Sequence, residues 1–284
     1  MDKGQTKVNI FEETMAHLTY AEIEEAVQEG AAVLFPVGVI EEHGPHLPLA
    51  VDVYGAYLQS RAIKSELDKK GIKVLIAPPF YWGINIATGS FSGSFTSREE
   101  TVVSVLFDAM ASLKRWKLDK VFFLNHHLDG QHVQALNRAI QKARKEIGIK
   151  AYWITDPFVA RRLGFKGDED HLILHKSLMA PPASPYLYIH AEGYETSFIW
   201  YYLPELIRLD VLKELKPTRL TLEDLEIWRH GGAEARSITP QGYFGDPTRA
   251  SPEKGREEIE AYGKIAAEAI EAFLNGCYSP PRKV

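Results

Sequence analysis

The residues best suited to chemistry lie in the stretch "VIEEHGPHLPLAVD" (39–52), which directly follows the apolar run "AAVLFPVG". One residue separates Glu41 from His43, so at the end of an extended strand their side chains point to one side, and Glu42 is expected to face away. Asp52 is predicted to lie at the start of the next helix. Carboxylate and imidazole without sulfur form a ligand set for Zn²⁺, Mn²⁺ or Fe²⁺. An aspartate in this position is suited to bridging two ions, although on these residues alone it is equally a helix cap.

A second polar cluster, "FFLNHHLDGQH" (122–132), also follows an apolar run. His127 and Asp129 repeat the spacing of one intervening residue. We expect one of His126 and His127 to point inward, and the other to pack in the loop or to support a metal ligand by a hydrogen bond. His132, at the start of a helix, is expected to have a structural or similar supporting role. In open α/β sheets ligands bind beyond the carboxyl ends of strands. The two clusters are therefore predicted to meet at one edge of a sheet.

A third cluster, "YIHAEGYETS" (188–197), contains His190, Glu192 and Glu195. It follows "YLY", which is interpreted as a short strand-like piece. Glu195 is either a metal ligand or a first-turn carboxylate that matches the helix dipole. A histidine outside the metal shell is what a hydrolase needs to move a proton.

The rest of the chain alternates apolar strands with helices of 15 to 20 residues, which indicates βαβ units and a mostly parallel sheet. Thr19 and Glu22 form a predicted capping box, a helix is expected from about 53 to 70, and Ser251 is the predicted N-cap of the last helix. The loop "YWGINIATGSFSGSFT" (81–96) is rich in aromatic residues, which favours a role in lining a pocket. No linker divides the chain, and residues 1–284 are predicted to form a single domain.

Composition excludes several classes of function. The net charge is −5 with no basic cluster, which argues against nucleic acid or an anionic membrane as the partner. The one cysteine excludes a disulfide framework and a cysteine-based metal site. The N-terminal stretch is unlike a signal peptide and no apolar run is long enough to span a bilayer, so a cytoplasmic location is expected. No Gly-x-Ser-x-Gly, P-loop or His-Glu-x-x-His motif is present.

Taken together and in order, these motifs resemble the creatininase (creatinine amidohydrolase) family. The matching segments are "EEHGPHLPLAVD", "NHH", "HAEGYETS" and "GYFGDPTRAS", so the resemblance covers about residues 31 to 270. The family pattern differs at His126, in the order of the small and acidic residues after His190, and in the loop 81–96. These departures surround the substrate and leave the metal-ligand motifs intact.

The resemblance implies a three-layer α/β sandwich with a parallel central sheet flanked by helices, often assembled as hexamers. It implies metal ligation by Glu41, His43, Asp52 as the bridging residue, and His127. In the creatininase-like pattern Asp129 is a further ligand, whereas the pattern of other branches implies Glu195 as the ligand. His190 matches the histidine with a proton-transfer role.

The sequence therefore predicts a hydrolase with two divalent metal ions (Zn, Mn or Fe), acting through a metal-bound hydroxide on a small cyclic amide or a formamide. The alternatives are hydrolytic C–C ring opening of a cyclic keto-polyol such as a keto-inositol, a non-catalytic metal-stabilised subunit, and a small-molecule binding protein. His190 and Glu192 are the predicted catalytic residues, and a homo-oligomer is expected. The predicted substrate contacts are Tyr81, Trp82, Ser94, His126 and Tyr194.

Overall fold

Five parallel strands form the central sheet of the computed structural model, which describes residues 8–177 and 186–281. Their order is β2-β1-β3-β4-β5, and Leu34 of β1 lies opposite Phe122 of β3 in the register. The parallel sheet is the one predicted from the alternation of apolar runs and helices. The strands are β1 Ala32–Val37, β2 Val74–Ile76, β3 Lys120–Asn125, β4 Lys150–Thr155 and β5 Leu172–Leu174.

Helices cover both faces of this sheet because successive strand residues point to opposite sides and both sides are apolar. Phe35 and Phe123 pack with helices α1, α3 and α4, while Leu34 and Phe122 pack with α2 and α10. The predicted three-layer α/β sandwich is thus confirmed. The helices are α1 Tyr20–Gln28, α2 Val51–Asp68, α3 Glu99–Arg115, α4 Gly130–Ile147, α5 Pro157–Arg162, α6 Gly193–Tyr202, α7 Leu209–Leu212, α8 Leu222–Arg229, α9 Gly232–Ile238 and α10 Pro252–Leu274.

Local signals for helix ends agree with the structure. Thr19 and Glu22 form the capping box of α1, and Ser251 caps α10 with its side chain. Helix α2 begins at Val51, so Asp52 lies in its first turn as predicted. The strand-like interpretation of 186–188 is wrong, because that segment joins no strand and only His190 makes a single bridge with Phe244. The single-domain interpretation stays a prediction.

The strand order creates a crevice beside the carboxyl ends of β1 and β3. From β1 the chain continues to β2 on one side of the sheet, and from β3 it continues to β4 on the other. Ligands bind at such a reversal in open α/β sheets. The loop after β1 and the loop after β3 are neighbours here, since the backbone N–H of His126 donates to the carbonyl of Val37 over 3.1 Å.

None of the helices in these two described ranges is long and apolar enough to cross a bilayer.

Candidate metal centre

Asp52 is the central residue of a buried polar cluster at the crevice. Its Oδ2 lies 3.2 Å from Nδ1 of His127, and its Oδ1 lies 3.7 Å from Nε2 of His43. Nδ1 of His127 is also 2.9 Å from Oε1 of Glu41, and Nε2 of His43 is 3.8 Å from Oε2 of Glu195. Two groups able to hold a cation therefore share Asp52. We call Glu41, Asp52 and His127 the first triad, and His43, Asp52 and Glu195 the second triad.

The two histidines are held by one ring nitrogen so that the other faces the triads. Nδ1 of His43 lies 3.2 Å from the carbonyl of Glu41, and Nε2 of His127 lies 3.0 Å from the carbonyl of Ile84. Because a carbonyl only accepts, each of these nitrogens carries the donated hydrogen in the neutral ring. The lone pair of each ring then points into its triad, which is the arrangement that metal ligation requires.

The donor set fits divalent cations. Nε2 of His43 and Oδ2 of Asp52 are buried atoms without a hydrogen-bond partner in the described part of the chain. Leaving buried polar atoms without a partner is costly. Carboxylate oxygens and imidazole nitrogens that converge on two points are ligands for Zn²⁺ or Mn²⁺. A cation in each triad would satisfy these atoms.

Electrostatics favour positive charge at this cluster. Burial alone would lower the pKa of His127, but Glu41 and Asp52 raise that pKa well above its usual value. Burial likewise opposes the charged form of His190, yet Glu41 and Glu42 raise the pKa of His190 to about 10. Burial would raise the pKa of Asp52, which neighbouring histidines instead hold well below its usual value. The carboxylates that keep protons on these rings also attract divalent cations.

The position of Glu195 distinguishes the two alternatives for completing the site. Glu195 lies in the first turn of α6, where Oε2 accepts from the backbone N–H of Ala191 and faces His43. Ala191 has a φ of +50°, which is uncommon for a residue other than glycine. This turn aims the Glu195 carboxylate at the second triad.

Asp129, predicted as a ligand, is held elsewhere by backbone donors. Its Oδ1 accepts from the N–H groups of Gln131 and His132 at 2.9 and 3.3 Å, so it is the N-cap of α4. Its Oδ2 accepts from the N–H of Ile86 at 2.9 Å. The structure does not bring this carboxylate into either triad, because capping a helix and binding the loop 81–96 use both of its oxygens.

His190, the predicted proton-transfer residue, stands beside the triads. Nδ1 lies 3.9 Å from Oε1 of Glu41, and the ring centroid lies 4.3 Å from that of His43. On its other side the ring contacts Trp228, with centroids 5.6 Å apart. The side chain therefore lies beside Glu41 and His43, and these three residues also form a group able to hold a cation.

Glu192, the other predicted catalytic residue, has a structural position. Its Oε2 accepts from the N–H of Tyr194 at 2.8 Å, which makes it the N-cap of α6. Burial, with a smaller contribution from the charge of Glu195, raises the pKa of Glu192 to about 8. Glu192 joins neither triad, because its carboxylate satisfies the end of the helix that carries Glu195.

The predicted substrate contacts divide into two groups. Trp82 is half exposed and contacts the rings of Tyr81 and Phe95, with centroids 5.4 and 5.6 Å away. Tyr81 lines a cavity of about 370 Å³ that no triad residue lines. Ser94 accepts from the N–H of Glu42 at 3.0 Å, so in this structure it holds the loop after β1, which carries Glu41 and His43.

The second group lies between α2 and α6. The ring of His126 contacts Tyr194 and Phe198, with centroids 5.8 and 5.4 Å away, and Gln59 donates to the hydroxyl of Tyr194. His127, not His126, is the inward residue of the pair. His132 is buried, and its position fits the structural interpretation: Nδ1 accepts from the N–H of Ile84 in the loop 81–96, and Nε2 bonds Oδ1 of Asn125 at the end of β3.

Sequence reasoning missed Thr88. Its buried hydroxyl donates to Oε2 of Glu41, the oxygen that does not face His127. Nearby, the side chain of Asn85 donates to the carbonyl of Ile40 at 3.2 Å and so holds the loop 81–96 against the segment that carries Glu41. The loop 81–96 was singled out for its aromatic residues, but no local pattern marks a threonine whose partner is 47 positions away.

Comparison with known proteins gives a consistent result. The family model Creatininase, described as creatinine amidohydrolase, matches residues 16–270. The mycofactocin precursor peptide peptidase of Mycobacterium ulcerans (strain Agy99) is 30% identical over an alignment of 229 positions that covers 79% of this chain and 78% of that protein. The 3-dehydro-scyllo-inosose hydrolase of Thermotoga maritima is 25% identical over an alignment of 284 positions, gaps included, that covers 93% of this chain and 85% of that protein.

A solved structure of creatinine amidohydrolase (creatininase) superposes with a TM-score of 0.66 at 20% identity, covering 95% of this chain and 99% of the other. A creatininase described as the Mn form gives a TM-score of 0.64 at 20% identity, covering 94% and 99%. These two structures share the fold described above.

Proposed function

The chain belongs to the creatininase family of hydrolases, and we propose that it holds two divalent ions and hydrolyses a C–N amide bond in a small molecule. The observation that carries this proposal is the position of the Asp52 carboxylate. One of its oxygens faces His127 in the first triad, and the other faces His43 in the second triad. A carboxylate that only stabilised a single histidine would not need a second imidazole and two further carboxylates around it.

Glu41, Asp52 and His127 would hold one ion, and His43, Asp52 and Glu195 the other. Two such ions, when bound, lower the pKa of a water molecule toward about 7 and polarise the substrate carbonyl. Relatives of this fold are described as Zn-Zn and Mn forms, which supports either metal here.

The protein's own contribution to the reaction centres on His190. Its Nδ1 faces the triads, so once bound cations offset the charge of Glu41, the neutral ring is placed to take the proton that the attacking water loses and to return it to the departing nitrogen. The products are a carboxylic acid and an amine, and the histidine ends in its starting state. The ring is held between His43 and Trp228, which limits its rotation during this exchange.

A small substrate suits the burial of the site. His43 is fully buried, and Asp52 and His127 are 2% and 6% exposed, so only a narrow group reaches them. Small cyclic amides and formamides meet this requirement. The names of two relatives, a creatinine amidohydrolase and a peptide peptidase, denote the cleavage of amide bonds in those proteins. The end of a peptide is therefore a further substrate to be tested.

Hydrolytic C–C ring opening of a keto-inositol is the second candidate function. It is favoured by the Thermotoga maritima relative, which is an inosose hydrolase and aligns over 93% of this chain. Asp129 is not available to contact the hydroxyls of such a substrate, because both of its carboxylate oxygens accept from backbone N–H groups.

The test is a substrate screen by mass spectrometry with protein loaded with Zn²⁺ or Mn²⁺. Cyclic amides, formamides, short peptides and keto-inositols are incubated in parallel, and a mass gain of one water or release of an amine marks turnover. We expect turnover of an amide that stops on chelation and in Glu41→Ala and His127→Ala, with Glu24→Gln on the surface of α1 as the control. Turnover that persists in Glu41→Ala contradicts the proposal. Turnover of the keto-inositol alone selects the second candidate, and metal-dependent stability without any turnover selects a non-catalytic subunit.

We also propose that the chain is a cytoplasmic homo-oligomer. Light scattering coupled to size-exclusion chromatography measures the mass of the assembly directly, and a monomer at micromolar concentration contradicts the oligomer.

A further inference from the structure

Glu42 is a buried carboxylate that the proposed metal chemistry does not use. The residue is 7% exposed. Its Oε2 accepts from the N–H of Gly44 at 2.9 Å, and its Oε1 has no hydrogen-bond partner in the described chain. A buried carboxylate oxygen without a partner is unfavourable, so its neighbours decide what it does.

The neighbour of that oxygen is His190. Nε2 of His190 lies 3.5 Å from Oε1 of Glu42 and 2.8 Å from the backbone carbonyl of the same residue. Both atoms of Glu42 are acceptors, so the N–H of the imidazole is on Nε2. In the neutral ring Nδ1 is then the unprotonated nitrogen, and it faces Glu41 and the triads. The backbone carbonyl of Glu42 therefore fixes this tautomer by a hydrogen bond, and Oε1 places a negative charge 3.5 Å from the same nitrogen.

The backbone around Glu42 holds the carboxylate in this place. Its own N–H donates to Ser94, and Gly44, with a φ of +67°, turns its N–H back onto Oε2. Gly242 packs so closely that a Cβ there would lie 1.9 Å from Oε2. The carboxylate is thus enclosed on the side away from His190.

The same segment that encloses Glu42 also holds His190. Phe244, two residues after Gly242, exchanges backbone hydrogen bonds with His190 at 3.2 and 2.8 Å. One piece of chain therefore fixes both the carboxylate and the backbone of the histidine. The distance between the side chains of Glu42 and His190 is therefore set by buried backbone contacts and not by a flexible surface contact.

We propose that Glu42 is a positioning residue for His190: its backbone carbonyl and its carboxylate hold the Nε2–H on one side of the ring, so that Nδ1 faces the triads. This inference rests on the proposed hydrolase function for its kinetic consequence, whereas the tautomer of the neutral ring is measured in metal-loaded protein without any substrate. The sequence predicts that Glu42 faces away from Glu41 and His43. Its carboxylate lies outside the triads, on the side of His190 that bears Nε2.

Glu42→Gln is the informative variant because the amide keeps the size and shape of the carboxylate. If its oxygen keeps the bond to Gly44, its NH₂ group is directed at His190 and meets the Nε2–H with a second donor. We expect full metal content and an unchanged melting temperature, together with a fall in kcat of about 10- to 100-fold and a KM within about threefold, the scale seen for partners that orient reactive groups. Glu24→Gln on α1 is the matched control and keeps the wild-type kcat.

Two readouts distinguish positioning from a general structural effect. In the double-mutant cycle with His190→Gln, the Glu42→Gln change adds less than about threefold, because a residue that acts through His190 has nothing left to act on. In zinc-loaded protein with ¹⁵N-labelled histidine, His190 is expected as the Nε2–H tautomer, with Nδ1–H increased in Glu42→Gln. His190→Gln identifies the signal.

An Nδ1–H tautomer in the wild-type protein overturns the proposal. The proposal also fails if Glu42→Gln lowers kcat by the same factor in the His190→Gln protein as in the wild-type protein. If the wild-type protein cleaves no amide, the proposed function fails, yet the tautomer measurement still decides the role of Glu42.

Discussion

Oδ2 of Asp52 lies 3.2 Å from Nδ1 of His127, which leaves Oδ1 of the same carboxylate free to face His43. This relationship follows from the positions of the two residues in the fold. Asp52 lies in the first turn of α2, and His127 lies just after the end of β3. It makes the aspartate common to both triads, and most of the expected behaviour of the site follows from that.

Removing Asp52 should cost both metal ions, whereas removing Glu195 should cost one. Asp52→Asn deprives both triads of an anionic ligand, and Glu195→Gln affects the second triad only. Metal per chain, measured by mass spectrometry after equilibration with a small excess of Zn²⁺, should fall from about two to about zero and about one respectively. The exposed Glu24→Gln serves as control. Equal loss in the two variants would show that Asp52 does not bridge.

Asp129 should matter for stability and not for metal content. Asp129→Ala removes the cap of α4 and the acceptor for Ile86, and caps contribute about 1–2 kcal/mol. We expect chemical denaturation to show a loss of that size and a metal content equal to wild type. Asp129→Asn, which keeps an acceptor for the helix end, should lose less. A missing ion in Asp129→Ala would restore Asp129 as a ligand.

Thr88 should tune the first triad. Thr88→Val keeps the shape but leaves Oε2 of Glu41 without its hydroxyl donor. Loss of such a supporting bond typically lowers metal affinity by about 10- to 100-fold, which competition with a chelator measures. Thr101→Val on the exposed face of α3 is the matched control. An unchanged affinity would mean that the hydroxyl does not orient Glu41.

The metal-free protein should lose stability as pH rises from about 6.5 to about 10. Burial opposes protonation of His190, but Glu41 and Glu42 raise its pKa from 6.5 to about 10, so its stabilising proton is fully present below 6.5 and is lost through that interval. Asp52, whose pKa is lowered from 3.8 by His43 and His127 despite burial, contributes above that value and loses its contribution in acid.

Melting temperatures with and without chelator, from pH 5 to pH 10, test this dependence. Because ligation needs neutral imidazoles, the stabilisation by Zn²⁺ should grow with pH, by about 5 °C or more between pH 6 and pH 9. His190→Gln should flatten the metal-free curve. A metal-free protein that gains stability over the alkaline range contradicts the direction of the His190 shift.

Much of the site was predictable because its local geometry is short-range. Glu41 and His43 follow one apolar strand and His127 follows another, and the carboxyl ends of parallel strands share an edge. Asp52 in the first turn of α2 follows from the helix pattern itself. These inferences need only the periodicity of strands and helices, which neighbouring residues determine.

Which residues complete the site depended on contacts between distant parts of the chain. Asp129 and Glu195 are both acidic residues at helix starts, and their own segments do not distinguish a cap from a ligand. The N–H of Ile86, 43 positions away, helps to hold Asp129, whereas the turn at Ala191 aims Glu195 at His43. Glu42 meets His190 across 148 positions. The sequence by itself determined the carboxylates and imidazoles that are suited to holding a cation and the sheet edge that bears them. Only the tertiary structure decided which carboxylates reach the site, because that depends on how separate loops and helices pack together.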